Sequence, residues 1–166
     1  MTRVMKAALW GGLIAATADL SYALIHYSVF GDIAFLRIPQ SIAAGLLGRE
    51  ASFGGGVPTA LLGTVLHYFI LIIASGIYAT VSLRLHALVK HPWVCGIAFG
   101  LAVFAFMRFV VIPLSAIAPG KLPEGQYLVG ELLSHMFGVG VPIAFMARRY
   151  CEPQTLERSP LASSVG

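Results

Sequence analysis

Four long apolar stretches constrain the fold of this chain more than any other feature. They cover residues 6–30, 58–83, 92–118 and 126–147. Each is long enough to cross the hydrocarbon core of a bilayer, which takes about 20 mostly apolar residues. Lipid offers no hydrogen-bond partners, so every backbone N–H and C=O must be paired within its own segment, as in a helix. The alternating pattern of a barrel strand is absent. We therefore predict an all-α integral membrane protein, a bundle of four transmembrane helices.

The composition supports this class. Hydrophobic residues make up 58% of the chain, charged residues only 11%, and the mean hydropathy is +0.84. Soluble domains carry about a quarter charged residues, so the composition excludes a soluble globular enzyme, a disordered chain and a nucleic-acid binder. The net charge of +4 is too small to indicate a polyanionic partner. The expected partner is the lipid bilayer.

The domain organisation is simple. We predict one transmembrane domain over residues 1–150 and a polar, disordered tail over residues 151–166. The only long link, between spans one and two, contains an apolar segment over residues 38–48 that ends in glycine. This segment is typical of a short helix, too short to span, that lies in the outer interface or re-enters the membrane. The glycines at 54–56 predict a flexible hinge.

The distribution of positive charge predicts the orientation. Lys and Arg residues are concentrated in the N-terminus, the link between spans two and three, and the tail, and cytoplasmic segments carry such an excess. Both termini are therefore expected in the cytoplasm. The residues on that side are Arg3, Lys6, Arg84, Lys90, Arg148, Arg149 and Arg158, against Arg37, Arg49 and Lys121 on the other side.

Each of the four spans contains an ionisable side chain at a similar depth. With a rise of about 1.5 Å per residue, these side chains fall roughly 13–17 Å below the outer boundary. Ionisable groups are costly in lipid, so they are expected to face the bundle interior and to meet there. The predicted intramembrane cluster consists of Asp19, His67, Arg108, Glu131 and His135, with Glu131 one turn from His135.

Our leading hypothesis is a non-enzymatic membrane protein whose cluster handles protons or a small cation. Carboxylates and histidines would titrate, and Arg108, always charged, would be the fixed counter-charge paired with Glu131 or Asp19. His26 and Tyr78 share helix faces with cluster residues and are candidate extensions of it. The sequence contains neither GxSxG nor HExxH, so no catalytic motif stands out.

Three alternatives stay open. The cluster could be purely structural and hold the register of the four helices. The protein could be an accessory or assembly subunit of a larger membrane complex, or a homo-oligomer. It could also bind haem or a divalent metal through His67, Glu131 and His135, since two histidines at matching depth are typical axial ligands in helical bundles; Arg108 argues against a bound dication.

A set of residues between His67 and Arg149 has a recognisable order and spacing. It consists of His67, Tyr78, Gly96, Gly100, the pair Pro113-Leu114, Pro119, the motif Glu131-x-x-x-His135 and the pair Arg148-Arg149. This set resembles the YagU-like family of small bacterial inner-membrane proteins over about half of the chain. The resemblance implies four spans in the bacterial inner membrane, without an established reaction. It also implies a histidine at the position of Arg108, where this chain departs from the pattern.

Overall fold

The computed structural model describes residues 1–117 and 124–152. This part of the chain is helical and contains no strand. Four of its helices are long and apolar enough to cross a membrane, which confirms the predicted helical class and the number of candidate spans. They are helix I (Arg3–Phe30), helix II (Gly56–Ser82), helix III (Pro92–Leu114) and helix IV (Gln126–Cys151).

The helix boundaries agree with the predicted spans to within four residues at each end. Helix I begins at Arg3 rather than at residue 6, and helix IV ends at Cys151 rather than at residue 147. Helix III ends at Leu114, whereas the predicted third span continues to residue 118, which lies outside the described residues. The predicted positive residue Lys121, Pro119 of the family pattern and tail residues 153–166 also lie outside them. Helix I begins just after Thr2, whose hydroxyl accepts a hydrogen bond from the Met5 N–H at 3.2 Å and so caps the first turn.

The link between helices I and II forms two short helices where the sequence predicted one. The first link helix is Arg37–Leu47 and the second is Arg49–Gly54. Gly48 separates them with a φ of +79°, a conformation open to glycine because it has no Cβ. The predicted hinge is largely helical, since Gly54 ends one helix and helix II begins at Gly56. One further helical turn, Ala87–Lys90, precedes helix III.

Glycines determine which helices pack closely. A Cβ on Gly12 of helix I would collide with the backbone of Ile72 in helix II. A Cβ on Gly100 of helix III would collide with the backbone carbonyl of His135 in helix IV. Helix I also packs along helix IV, whereas helices II and III scarcely approach each other. The bundle therefore has the spatial order II–I–IV–III, with a gap between its two outer helices.

The first link helix covers this gap. Gln40 is only 2% exposed, and its Nε2 donates to the Gly56 carbonyl at 2.9 Å at the start of helix II. Gly63 allows helix II to approach the first link helix closely, because a Cβ on Gly63 would collide with the backbone of that link helix. At the other end, the Ala116 N–H just after helix III donates to the Gly45 carbonyl at 2.8 Å. The link helix thus runs from helix II to the end of helix III.

Helices III and IV each contain a π-helical segment. These segments are Met107–Val111 and Ser134–Gly140, and each lies just before an internal proline, Pro113 or Pro142. The N–H of the residue before each proline bonds to the carbonyl five residues back. Proline has no N–H and its ring clashes with the carbonyl four residues back, and a widened turn accommodates both effects. Helix IV continues past Pro142 to Cys151, as the predicted fourth span did.

We predict that Gly100→Ala destabilises the protein. The new methyl group meets the backbone of helix IV rather than a flexible side chain, so the two helices must separate, at a cost of about 1–3 kcal/mol. Gly76→Ala is the matched control, because its methyl group makes only an ordinary contact, 3.5 Å from the Ala8 Cβ. The measurement is the unfolding midpoint in mixed detergent micelles. Equal midpoints for the two variants would contradict the proposed close contact.

Candidate functional site

Asp19 of helix I is the centre of the polar cluster. Its Oδ1 accepts a hydrogen bond from the Ser134 hydroxyl at 2.6 Å. Its two carboxylate oxygens each face one imidazole, with Oδ2 3.9 Å from His67 Nε2 and Oδ1 3.9 Å from His135 Nδ1. The three titratable side chains are 13–19% exposed. Helices I, II and IV therefore bring three of the five predicted cluster residues within ion-pair distance.

Backbone carbonyls fix the orientation of both imidazoles. His67 Nε2 lies 3.1 Å from the carbonyl oxygen of Ala16 in helix I. His135 Nδ1 lies 2.9 Å from the carbonyl oxygen of Glu131, one turn earlier in helix IV. A carbonyl oxygen only accepts hydrogen bonds, so each of these nitrogens carries a hydrogen. In the neutral imidazole the second nitrogen of each ring, His67 Nδ1 and His135 Nε2, is then a hydrogen-bond acceptor.

Glu131 is held by a tyrosine rather than by the histidines. The Tyr27 hydroxyl of helix I donates a hydrogen bond to the Glu131 carboxylate. The Tyr27 ring stacks on Tyr127, with centroids 5.6 Å apart, and the Tyr127 hydroxyl donates to the Phe30 carbonyl at 2.8 Å. This aromatic group joins the ends of helices I and IV nearest the link helices. The second carboxylate therefore lies between Asp19 and that end of the bundle.

The cluster lines a cavity of about 690 Å³. The cavity lies between the four long helices and is covered by the two link helices. Of the described helices, all except the turn at Ala87–Lys90 contribute to its wall. Both π-helical segments contribute to it, one through Arg108 and the other through Ser134 and His135. The five predicted cluster residues, Asp19, His67, Arg108, Glu131 and His135, all line this cavity.

The two candidate extensions of the cluster are not part of the cavity wall. Tyr78 is 2% exposed, its hydroxyl donates to the Leu88 carbonyl at 3.0 Å, and its ring contacts Phe99 at 4.9 Å. It thus joins helix II to the turn before helix III. His26 packs among aromatic rings, including Tyr22, whose centroid lies 5.0 Å away. His26 therefore lies behind Tyr22, which lines the cavity, whereas Tyr78 contacts the turn before helix III.

A dry core closes the cavity on the side of the chain termini. Within the described part of the chain, the residues one or two turns beyond Asp19, His67 and His135 in that direction are small or apolar and at most 4% exposed. The polar side chain among them, Ser75, donates its hydroxyl hydrogen to the Ala7 carbonyl at 3.0 Å, so the layer leaves little room for water. Within the described residues, packed side chains therefore separate Asp19 from the end of the bundle that carries the chain termini. The layer consists of Ala15, Ala16, Leu71, Ser75, Val139 and Ile143.

The geometry offers little to a metal or to haem. No group of three or more His, Cys, Asp and Glu side chains in residues 1–117 and 124–152 is arranged to hold a metal ion. Asp19 lies 3.9 Å from both histidine candidates, through a different oxygen to each. The metal candidates His67 and His135 are instead held by hydrogen bonds to carbonyl groups.

Sequence reasoning missed the hydroxyl groups and the arginines at the cavity entrance. Ser134 and Tyr27 bind the two carboxylates, but a search for ionisable residues in apolar spans passes over hydroxyls. The position of Ser134 could have been noticed, because it precedes His135 and lies three residues after Glu131, on the same helix face. Arg37 and Arg49 line the cavity as well. They lie on two separate link helices, so no helical periodicity in the sequence relates their positions.

No protein-family model matches the chain, and neither a curated protein nor a solved structure matches it. The interpretation of the site therefore depends on its geometry. The resemblance to the YagU-like family stays a prediction.

Proposed function

We propose that this protein is a small multi-pass membrane protein that takes up and releases protons at Asp19, His67 and His135. The observation that carries the proposal is the pair of 3.9 Å distances from the Asp19 carboxylate to two imidazoles. A carboxylate between two histidines allows a proton to be held by any of three neighbouring groups. Chains of Asp, Glu and His in membrane helices are the usual residues of proton relays.

The closed side of the cavity favours a carrier over an open pore. Protons can reach Asp19 from the link helices, but a layer that includes Leu71 and Ile143 separates it from the other side. Transfer across the bundle would then require the helices to rearrange. The gap between helices II and III supports this view. Beside the cavity the two outer helices are connected through the first link helix, whereas their ring contact, Tyr78 with Phe99, lies nearer the other end of the bundle.

We further propose the bacterial inner membrane as the location, with both termini in the cytoplasm. The support comes from the positive charge in the terminal segments and the link between helices II and III. In this orientation the cavity opens towards the outer face. The first link helix would lie at the outer interface, with Gln40 and Ser52 bonded inside the protein and Leu46 and Leu47 exposed to lipid.

We predict that Asp19→Asn abolishes proton transfer. The variant keeps the shape of the side chain and the bond to Ser134 but removes the central titrating group. The measurement is the rate of acidification in liposomes that enclose a pH-sensitive dye, after an imposed pH step. Asp32→Asn, in the exposed link, is the matched control and should retain the wild-type rate. Wild-type protein that transfers protons no faster than empty liposomes would overturn the proposal.

We predict that His67→Gln and His135→Gln each reduce the same rate by at least about tenfold, because each variant removes one of the two imidazoles that can carry a proton next to Asp19. Glutamine retains a hydrogen-bond donor for the backbone carbonyl, which limits structural effects. His91→Gln is the control, since His91 is an exposed residue before helix III. If all three variants transfer protons at one rate, the histidines have no part in the process.

Ser134→Ala separates the proposed function from a purely structural cluster. Loss of a hydrogen bond to a charged group is expected to lower the free energy of unfolding by about 1.5–3 kcal/mol. The three titrating groups remain, so proton transfer should persist at temperatures where the variant is folded. The comparison needs the unfolding midpoint and the liposome rate of the same preparation. A stable variant without proton transfer would show that Ser134 itself belongs to the relay.

A further inference from the structure

Two arginines at the cavity entrance share one aromatic ring. The Arg37 guanidinium lies 4.9 Å from the centroid of the Phe53 ring, and the Arg49 guanidinium lies 5.4 Å from it. Arg37 begins the first link helix, and Arg49 begins the second. The two link helices thus bring two fixed positive charges, 12 positions apart in sequence, to one place on the cavity wall.

Within residues 1–117 and 124–152, neither arginine forms an ion pair with a carboxylate. The carboxylates in the same cavity have other partners, because Asp19 binds Ser134 and faces the histidines, and Glu131 binds Tyr27. Both positive charges border the same cavity, so an oxyanion bound there would be attracted by both. Guanidinium groups are also the donors that best match a carboxylate or phosphate.

The rest of the cavity wall is suited to an apolar body. Ile70 of helix II, Phe104 and Met107 of helix III, and Ile38 and Ile42 of the first link helix line it. The volume of about 690 Å³ lies within the roughly 300–1,000 Å³ of small-molecule sites. The cavity also lies beside the gap between helices II and III, where an extended apolar chain can be accommodated.

We infer that this cavity binds an organic oxyanion, a carboxylate or phosphate group on a single apolar chain, with the anionic group at Arg37 and Arg49. The inference rests on the proposed function, because the same cavity would hold both the anion and the proton. It adds a substrate class to that function. Proton uptake at Asp19 would offset the negative charge that the ligand brings into the cavity.

Binding can be tested without a proton gradient. The protein is placed in nanodiscs of phosphatidylcholine at constant pH, and its melting temperature is measured with butanoate, hexanoate, octanoate, decanoate and octyl phosphate. A ligand that binds the folded state raises the melting temperature. We expect a rise with the anions, increasing with chain length until the cavity is filled, and none with the amides of the same acids. No rise with any anion at millimolar concentration overturns the inference.

Arginine variants assign the effect to this site. In Arg37→Gln/Arg49→Gln the apparent affinity should fall at least tenfold, and Arg37→Lys/Arg49→Lys should recover part of it. The control Arg84→Gln/Arg149→Gln removes the same charge at the other end of the bundle and should bind as wild type does. Melting temperatures without ligand show whether each variant folds. Equal affinity in the Gln double variant and the wild type would sink the inference.

Two further comparisons identify the source of the anion and separate the two proposals. In discs that contain phosphatidylglycerol, loss of octanoate binding indicates that a lipid headgroup occupies the arginines, and retained binding indicates a free organic acid; both support the oxyanion site. Anion binding without proton transfer in liposomes would refute the proposed function alone. Proton transfer that depends on Asp19, without anion binding, would refute the inference about the ligand alone.

Discussion

The structure depends on one constraint: charged side chains in four apolar helices have nowhere to lie except between the helices. An ionisable group in contact with lipid is costly, and it is costly inside the bundle unless it finds partners. Asp19 satisfies this requirement through Ser134 and the two imidazoles, and Glu131 satisfies it through Tyr27. These contacts join helix I to helices II and IV. The hydrogen bonds and ion pairs of the carboxylates therefore also determine how these helices pack.

Small residues allow the helices to come close enough for these contacts to form. Gly12 and Gly100 allow backbones to approach, and the alanines beyond Asp19 leave a narrow, dry core. The close contacts join helices I and II on one side and helices III and IV on the other, with helices I and IV in the middle. Helices II and III diverge, and the space between them becomes the cavity. Tight packing at one end of the bundle thus coexists with an opening at the other.

Much of the fold could be predicted from the sequence, because helix number and length follow from hydropathy and from the need to pair every backbone group in lipid. The convergence of Asp19, His67 and His135 followed from depth alone, since each lies a similar number of residues from a span end. The second link helix and the π-helical segments could not be predicted in the same way. They depend on how Gly48, Pro113 and Pro142 are accommodated by neighbouring helices.

The sequence by itself determined the helical class, the four long apolar helices and the set of ionisable residues within them. Only the tertiary structure decided which partner each charge has, because partners come from different helices and their choice depends on rotation and packing. It also brought Arg37 and Arg49 to one ring, on link helices whose positions no local pattern specifies. Local periodicity determines which face of a helix is polar, whereas long-range packing determines what that face meets.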